Sequence, residues 1–161
     1  MSARTRTIAM RKEPPNSVLV VEDDDAHRSL LLTLLRSAGL NGLGASSAES
    51  ALQILEHPDQ EIDVVLCDLV LGAWPGAGAA SGVDLLREWK RRRPATPFIF
   101  VTGVVDIAQV VEAVKLGAED YITKPYVATE LLQRVKECLE ASHSATSLPG
   151  FDGEGSEVSE Q

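Results

Sequence analysis

Five short runs of apolar residues alternate along this chain with segments in which apolar residues recur at helical spacing. Each run predicts a strand, and each following segment predicts a helix. Repeated strand–helix alternation is typical of a parallel sheet with helices on both faces and right-handed crossovers. We therefore expect one α/β domain over residues 17–142, built on a doubly wound, five-stranded parallel sheet.

The composition and the two ends of the chain set further bounds. Of 161 residues, 44% are hydrophobic and 24% are charged, as in a globular domain. We expect residues 1–16 to form a flexible basic arm and residues 143–161, which contain no Lys or Arg, to form a disordered acidic tail. No apolar run approaches the ~20 residues of a membrane span, and no secretory signal is visible, so we expect a cytoplasmic protein.

Charge and residue types exclude several classes of function. The net charge of −9 disfavours direct binding to nucleic acid. Cys67 and Cys138 form no closely spaced metal motif, and we expect both to be reduced core thiols. No histidine lies in a metal-binding cluster; we expect surface positions for His27, His57 and His143.

Polar residues stand at the ends of four of the predicted strands. Glu22 and Asp23 follow the first strand, Asp68 follows the third, Thr102 ends the fourth and Lys124 follows the fifth. Ligands bind at the carboxyl ends of the strands in such sheets. Crowded carboxylates repel each other unless a cation compensates them, and Mg²⁺ prefers oxygen ligands. We expect a Mg²⁺ site in which the Asp68 carboxylate accepts a phosphoryl group.

The motifs at these strand ends resemble those of a response-regulator receiver domain of bacterial two-component signalling. The segments that carry the resemblance are Val18 to Asp23, Asp68, Val101 to Gly103, and Gly117 to Pro125. They occur in order, and the resemblance covers nearly all of residues 17–142. It implies the flavodoxin-like strand order 2-1-3-4-5.

The resemblance also implies roles for the site residues. Asp68 would take a phosphoryl group from a histidine kinase or a phosphotransfer protein. The direct ligands of the metal ion would be Asp23, Asp68 and the backbone carbonyl of Val70, with Glu22 acting through water. We thus expect a signalling domain rather than an enzyme, with at most slow self-dephosphorylation.

The response to phosphorylation is implied in the same way. Thr102 and Lys124 would contact the phosphoryl oxygens, Tyr121 would be an aromatic switch, and the peptide bond between Lys124 and Pro125 would be cis. The output would be contact with a downstream protein through about residues 107–142. The protein would act as a monomer or as a phosphorylation-dependent dimer.

One segment departs from the family pattern. A Gly/Ala-rich stretch, residues 72–82, is predicted as a loop, and it inserts about six residues if Gly82 matches the glycine that the family places after its aspartate. Trp74 within it would cover the pocket or meet a partner. A tolerated surface insertion is an equally good interpretation.

Other interpretations remain open to different degrees. The chain could be a receiver-fold interaction module that phosphorylation does not regulate, or a fragment of a larger regulator, although Met1 and the polar tail favour a complete, stand-alone chain. An aspartate-nucleophile phosphatase is disfavoured because Val70 stands where that class needs a second aspartate. A nucleotide-binding enzyme is disfavoured because no Gly-rich loop follows the first strand.

Overall fold

The computed structural model describes residues 14–73, 79–103 and 106–147, with the backbone alone for residues 72, 73, 79–81 and 143–147. In chain order, its strands are β1 (Ser17–Val21), β2 (Asn41–Ala45), β3 (Val64–Cys67), β4 (Val70–Ala73), β5 (Ala79–Ser81), β6 (Phe98–Thr102) and β7 (Asp120–Thr123). Its helices are α1 (Asp25–Ser37), α2 (Ala48–Glu56), α3 (Gly82–Arg92), α4 (Ile107–Lys115) and α5 (Ala128–Ser147).

Five parallel strands form the central sheet in the order β2-β1-β3-β6-β7. Strands β4 and β5 form a separate antiparallel pair outside this sheet. When that pair is left out, the order is the predicted 2-1-3-4-5. The doubly wound, flavodoxin-like fold predicted from the sequence is confirmed.

Side chains of the central strands alternate between two buried clusters, because successive residues of a strand point to opposite faces of the sheet. Val18 and Val20 of β1 lie in a cluster with leucines of α1 and α5. Leu19 and Val21 lie in a second cluster with side chains of α2, α3 and α4. Helices therefore cover both faces, and the carboxyl ends of the strands are left as an edge where loops meet.

Strand β2 forms although it contains two glycines, which weaken a strand. It pairs with β1 along its whole length. A Cβ atom on Gly42 would lie 2.9 Å from Leu32 Cδ2 of α1, and one on Gly44 would lie 3.1 Å from Leu32 Cδ1. The glycines thus allow α1 to approach this edge strand closely.

The prediction of a loop over residues 72–82 is wrong in part. The backbone pairs antiparallel, with Val70 opposite Ser81 and Ala73 opposite Ala79, and α3 already begins at Gly82. Gly and Ala have low strand propensity, so composition conceals a pairing made by backbone hydrogen bonds. Trp74 lies outside the described residues, and its predicted role stays a prediction.

Helix α5 continues to Ser147, past the expected end of the domain at residue 142. The sequence from Ala141 contains no helix-breaking Gly or Pro before Pro149, which explains the longer helix. Residues 1–13 of the predicted arm and residues 148–161 of the predicted tail lie outside the described residues. Within the described ranges, no helix is long and apolar enough to cross a membrane.

Candidate functional site

The carboxyl ends of β1, β3, β6 and β7 bring the predicted polar side chains together. One carboxylate oxygen each from Glu22, Asp23 and Asp68 lies within 4.8 Å of the other two. Lys124 Nζ lies 2.8 Å from Asp68 Oδ2 and 3.3 Å from Glu22 Oε2. Three carboxylates therefore face a single ammonium group in a small volume.

Burial makes this crowding costly. Among the described residues, the buried polar or charged side chains are Glu22, Asp68 and Thr102, whereas Asp23 is exposed. A buried charge is unfavourable unless it is paired and hydrogen-bonded. Lys124 compensates one of the two buried carboxylates at most, so the site keeps an excess of negative charge.

Asp68 is ionised in this environment. Burial acts to raise its pKa, but hydrogen bonds from Lys124, from the Val70 backbone N–H at 3.1 Å and from the Thr102 hydroxyl outweigh burial and lower the pKa below its usual range. A deprotonated carboxylate is the form that attacks phosphorus.

The pKa of Glu22 is shifted in the opposite direction. Burial raises the pKa of Glu22, and the negative charge of Asp68 adds to that effect, while contacts with His27 and Lys124 only partly offset it. The pKa of Lys124 is raised because its contacts with Asp68 and Glu22 outweigh its burial. A cation placed among these carboxylates would offset the excess negative charge that contributes to both raised pKa values.

The remaining predicted residues lie beside this cluster. Thr102 ends β6 in a fully buried position. Tyr121 is half-buried in β7, with its ring centroid 6.2 Å from that of Phe100, and burial raises the pKa of its hydroxyl. The peptide bond between Lys124 and Pro125 is cis, as the resemblance implies.

The space around Gly82 is too small for a side chain. A Cβ atom there would lie 2.3 Å from the Asp68 carbonyl oxygen and 2.8 Å from the Phe100 ring. Its backbone N–H donates to the Leu69 carbonyl at 2.6 Å. The start of α3 thus lies directly against the backbone of Asp68, which supports matching Gly82 to the family glycine.

Cys67 takes no part in the polar cluster. It is a free, buried thiol whose Sγ donates to the Asp68 carbonyl oxygen at 3.1 Å. Burial, followed by the charge of Asp68, raises its pKa well above the usual range, so the thiol stays protonated. Cys138 is also a free thiol but is only half-buried.

The expectation that His27 lies on the surface is wrong. Asp24 caps α1 by accepting hydrogen bonds from the backbone N–H groups of Ala26 and His27, and this cap places His27 in the first turn. The His27 side chain is only 15% exposed, and its Nδ1 lies 3.1 Å from Glu22 Oε2. His57 is exposed as expected, and the side chain of His143 lies outside the described part of the chain.

Tyr126 is the second residue that sequence reasoning missed. Its hydroxyl lies 2.7 Å from His27 Nε2. His27 follows Glu22 by only five residues, and this closeness in sequence is the signal that could have placed it near the carboxylates. No local pattern links His27 to Tyr126, because the two are far apart in sequence.

Comparisons with known proteins agree with this fold. Residues 18–136 match the sequence profile of the response regulator receiver domain. The sensory transduction protein RegX3 of Mycolicibacterium smegmatis is 38% identical over 137 residues, which cover 85% of this chain and 56% of RegX3. The transcriptional regulatory protein ZraR of Escherichia coli K12 is 35% identical over 127 residues, which cover 79% of this chain and 27% of ZraR.

A solved structure gives the same result at the level of the fold. The CheY-like receiver domain protein from Methanospirillum hungatei JF-1 superposes with a TM-score of 0.74 at 27% identity, covering 81% of this chain and 98% of that one. The chain belongs to the response regulator receiver domain family, whose members are signalling domains that bind Mg²⁺ at an acidic pocket. It matches about a quarter of the length of ZraR and about half that of RegX3.

Proposed function

We propose that this receiver domain accepts a phosphoryl group on Asp68 from a phosphohistidine of a histidine kinase or phosphotransfer protein. The observation that carries the proposal is the ionised Asp68 carboxylate 2.8 Å from Lys124, beside two further carboxylates. A lowered pKa keeps the nucleophile charged, and the adjacent ammonium group can stabilise charge on the incoming phosphoryl oxygens.

The donor set fits Mg²⁺. Carboxylate and carbonyl oxygens are the ligands that this ion prefers, and it usually keeps several waters. Asp23, Asp68 and the Val70 carbonyl would hold the ion directly, with Glu22 acting through water. The ion would supply positive charge next to the phosphoryl oxygens.

The transfer itself requires one bond to form and one to break. A carboxylate oxygen of Asp68 attacks phosphorus, the phosphorus–nitrogen bond to the donor imidazole breaks, and its electron pair stays on that nitrogen. The product is an acyl phosphate on Asp68. Lys124 and the Thr102 hydroxyl donate hydrogen bonds to the phosphoryl oxygens, and later hydrolysis of the acyl phosphate resets the domain.

The output surface proposed here is residues 107–142. Helix α4 presents exposed apolar side chains one helical turn apart, Ile107, Val111 and Val114, with the half-buried Tyr121 on the neighbouring strand β7. Exposed apolar patches of this kind mark protein contacts. Phosphorylation would shift the population of conformations of this surface, through Thr102 and Tyr121, towards the form that a downstream protein binds.

A second possibility is that this receiver domain is one part of a larger regulator. The observation that favours it is the partial coverage of ZraR and RegX3. The phospho-accepting chemistry would be unchanged, but the output would pass to another domain. The prediction that this chain does not itself contact nucleic acid stays a prediction.

Beryllofluoride with Mg²⁺ tests the proposed site because it mimics a phosphoryl group on a carboxylate. We expect new bound signals in ¹⁹F NMR and shifted amide signals for α4 and β7 in the wild type. Asp68→Asn, which keeps the shape of the side chain, should abolish both. Bound fluorine signals of equal intensity in Asp68→Asn, or their absence from the wild type, would contradict the proposal.

A further inference from the structure

We propose that His27, held in place by Tyr126, is a positioning residue that fixes the Glu22 carboxylate for binding a divalent cation. This inference rests on the cation site proposed above. It assigns a role to a pair of side chains, on α1 and on the segment after β7, that the predicted site does not contain.

Besides the neighbouring Asp68 carboxylate, three groups contact the Glu22 carboxylate. Oε1 accepts a hydrogen bond from the Asp24 backbone N–H at 3.3 Å. Oε2 lies 3.3 Å from Lys124 Nζ and 3.1 Å from His27 Nδ1. The orientation of this buried side chain therefore depends on a capping backbone, a lysine and a histidine.

The two side chains that contact Oε2, Lys124 and His27, differ in their other contacts. Lys124 is shared, because its Nζ lies closer to Asp68, at 2.8 Å, than to Glu22. Of the two, the His27 contact alone holds Glu22 without engaging Asp68. If His27 were lost, Glu22 would be free to turn towards Lys124 and draw that ammonium group away from Asp68.

The orientation of His27 is fixed at the other side of its ring. The Tyr126 hydroxyl lies 2.7 Å from Nε2, and the two ring centroids lie 5.7 Å apart at an angle of 54°. With Tyr126 donating to Nε2, the N–H of the ring is on Nδ1 and faces Glu22.

The contact with Glu22 is electrostatic in character. Nδ1 is buried and, within the described residues, has no well-aligned hydrogen bond, although Glu22 Oε2 is 3.1 Å away. A carboxylate has about four sites that can accept hydrogen bonds, so this contact leaves others open. Glu22 can thus be held in place and still interact with a cation or its bound water.

The test measures Mn²⁺ binding by electron paramagnetic resonance, in which free Mn²⁺ gives the signal that bound ion loses. His27→Leu should weaken binding about tenfold, the low end of the cost of losing a side chain that orients a metal ligand. His27→Asn can place an amide nitrogen near the position of Nδ1, so it should restore most of the affinity.

Tyr126→Phe is the milder, independent variant, because it removes the hydroxyl and keeps the ring. It should weaken Mn²⁺ binding in the wild-type background and have no further effect combined with His27→Leu, because the hydroxyl acts only through His27. Thermal unfolding without the ion separates affinity from stability: a merely structural role would lower the melting temperature and leave Mn²⁺ affinity unchanged.

The outcomes distinguish the two proposals. If the wild type binds Mn²⁺, Asp23→Asn abolishes binding and the His27 and Tyr126 variants bind as tightly as the wild type, only the role of His27 is overturned. If the wild type binds no Mn²⁺, the cation site and the role of His27 fall together. If His27→Asn binds as weakly as His27→Leu, the contact at Nδ1 is not what matters, which also overturns the inference.

Discussion

At the scale of single residues, the pKa values of two neighbouring buried carboxylates are shifted in opposite directions by their surroundings. Asp68 accepts hydrogen bonds from an ammonium group, a backbone N–H and a hydroxyl, which lower its pKa. Burial dominates at Glu22 and raises its pKa. The fold thus keeps the proposed nucleophile charged and leaves Glu22 under-compensated, as expected of a site built for a cation.

Replacing Glu22 by glutamine should therefore stabilise the ion-free protein at neutral pH. Because the folded-state pKa of Glu22 is raised, the wild type loses stability as the pH rises from about 4 through that pKa, and the glutamine variant escapes this loss. We expect a gain of about 1 kcal/mol at neutral pH that disappears below about pH 4.

Urea unfolding with a chelator present, repeated across this pH range, measures the effect. Glu140→Gln changes an exposed carboxylate on α5 and is the matched control. A loss of stability in Glu22→Gln at neutral pH, or a gain that is the same at every pH, would refute the argument.

Gly82→Ala tests the close approach of α3 to the site. The added Cβ would collide with the Asp68 carbonyl oxygen, so the backbone must move, and we expect a cost of about 1–3 kcal/mol together with weaker Mn²⁺ binding. Gly103→Ala is the matched control, because a Cβ atom there meets nothing closer than Lys124 Cβ at 3.9 Å. Equal stability of the two variants in urea unfolding would show that the contact at Gly82 is relaxed at no cost.

At the scale of elements, the β4–β5 pair is the part of the fold that was not predicted from the sequence. Its base is tied to the site, since the Val70 N–H donates to Asp68 Oδ1 and the Gly82 N–H donates to the Leu69 carbonyl. We therefore expect the base of the pair to matter for cation binding more than the segment between Ala73 and Ala79.

Replacing residues 73–79 by an Asn-Gly turn should leave Mn²⁺ affinity unchanged, because that turn closes a two-residue hairpin and preserves the base. Replacing residues 70–81 in the same way should weaken Mn²⁺ binding, because the backbone N–H and carbonyl that follow Leu69 would then lie in a tight turn and leave the positions that they have at Val70 in β4. Electron paramagnetic resonance titrations of both variants measure this difference. If the shorter replacement abolishes binding, the segment between Ala73 and Ala79 belongs to the site.

Several elements show what the sequence could and could not predict. The buried strands β1, β3 and β6 are apolar runs that end in polar residues, so their type and the convergence of Asp68, Thr102 and Lys124 were predictable from local patterns. The strand order was predicted from the family resemblance. The β4–β5 pairing was not predictable, because backbone hydrogen bonds between Gly- and Ala-rich segments leave no pattern of side chains. The contact of His27 with Tyr126 was not either, because it exists only once α1 and the segment after β7 are brought together.

At the scale of the whole molecule, the two faces of the sheet and its carboxyl edge have different roles. Its two faces are covered by helices that provide the buried core, and its carboxyl edge gathers the polar residues from four strands. The proposed output surface on α4, β7 and α5 adjoins that edge through Thr102 and Lys124. A change of charge at Asp68 can therefore reach this surface over a few residues, which is the arrangement that a phosphorylation switch requires.

The most direct test of the central claim is the intact mass of the protein after incubation with Mg²⁺ and a small-molecule phosphodonor such as acetyl phosphate. The wild type should gain the mass of one phosphoryl group, and the gain should vanish when a chelator removes the divalent cation. Asp68→Asn should remain unmodified under the same conditions. An unmodified wild type, or an equal gain in Asp68→Asn, would contradict the assignment of Asp68 as the phospho-acceptor.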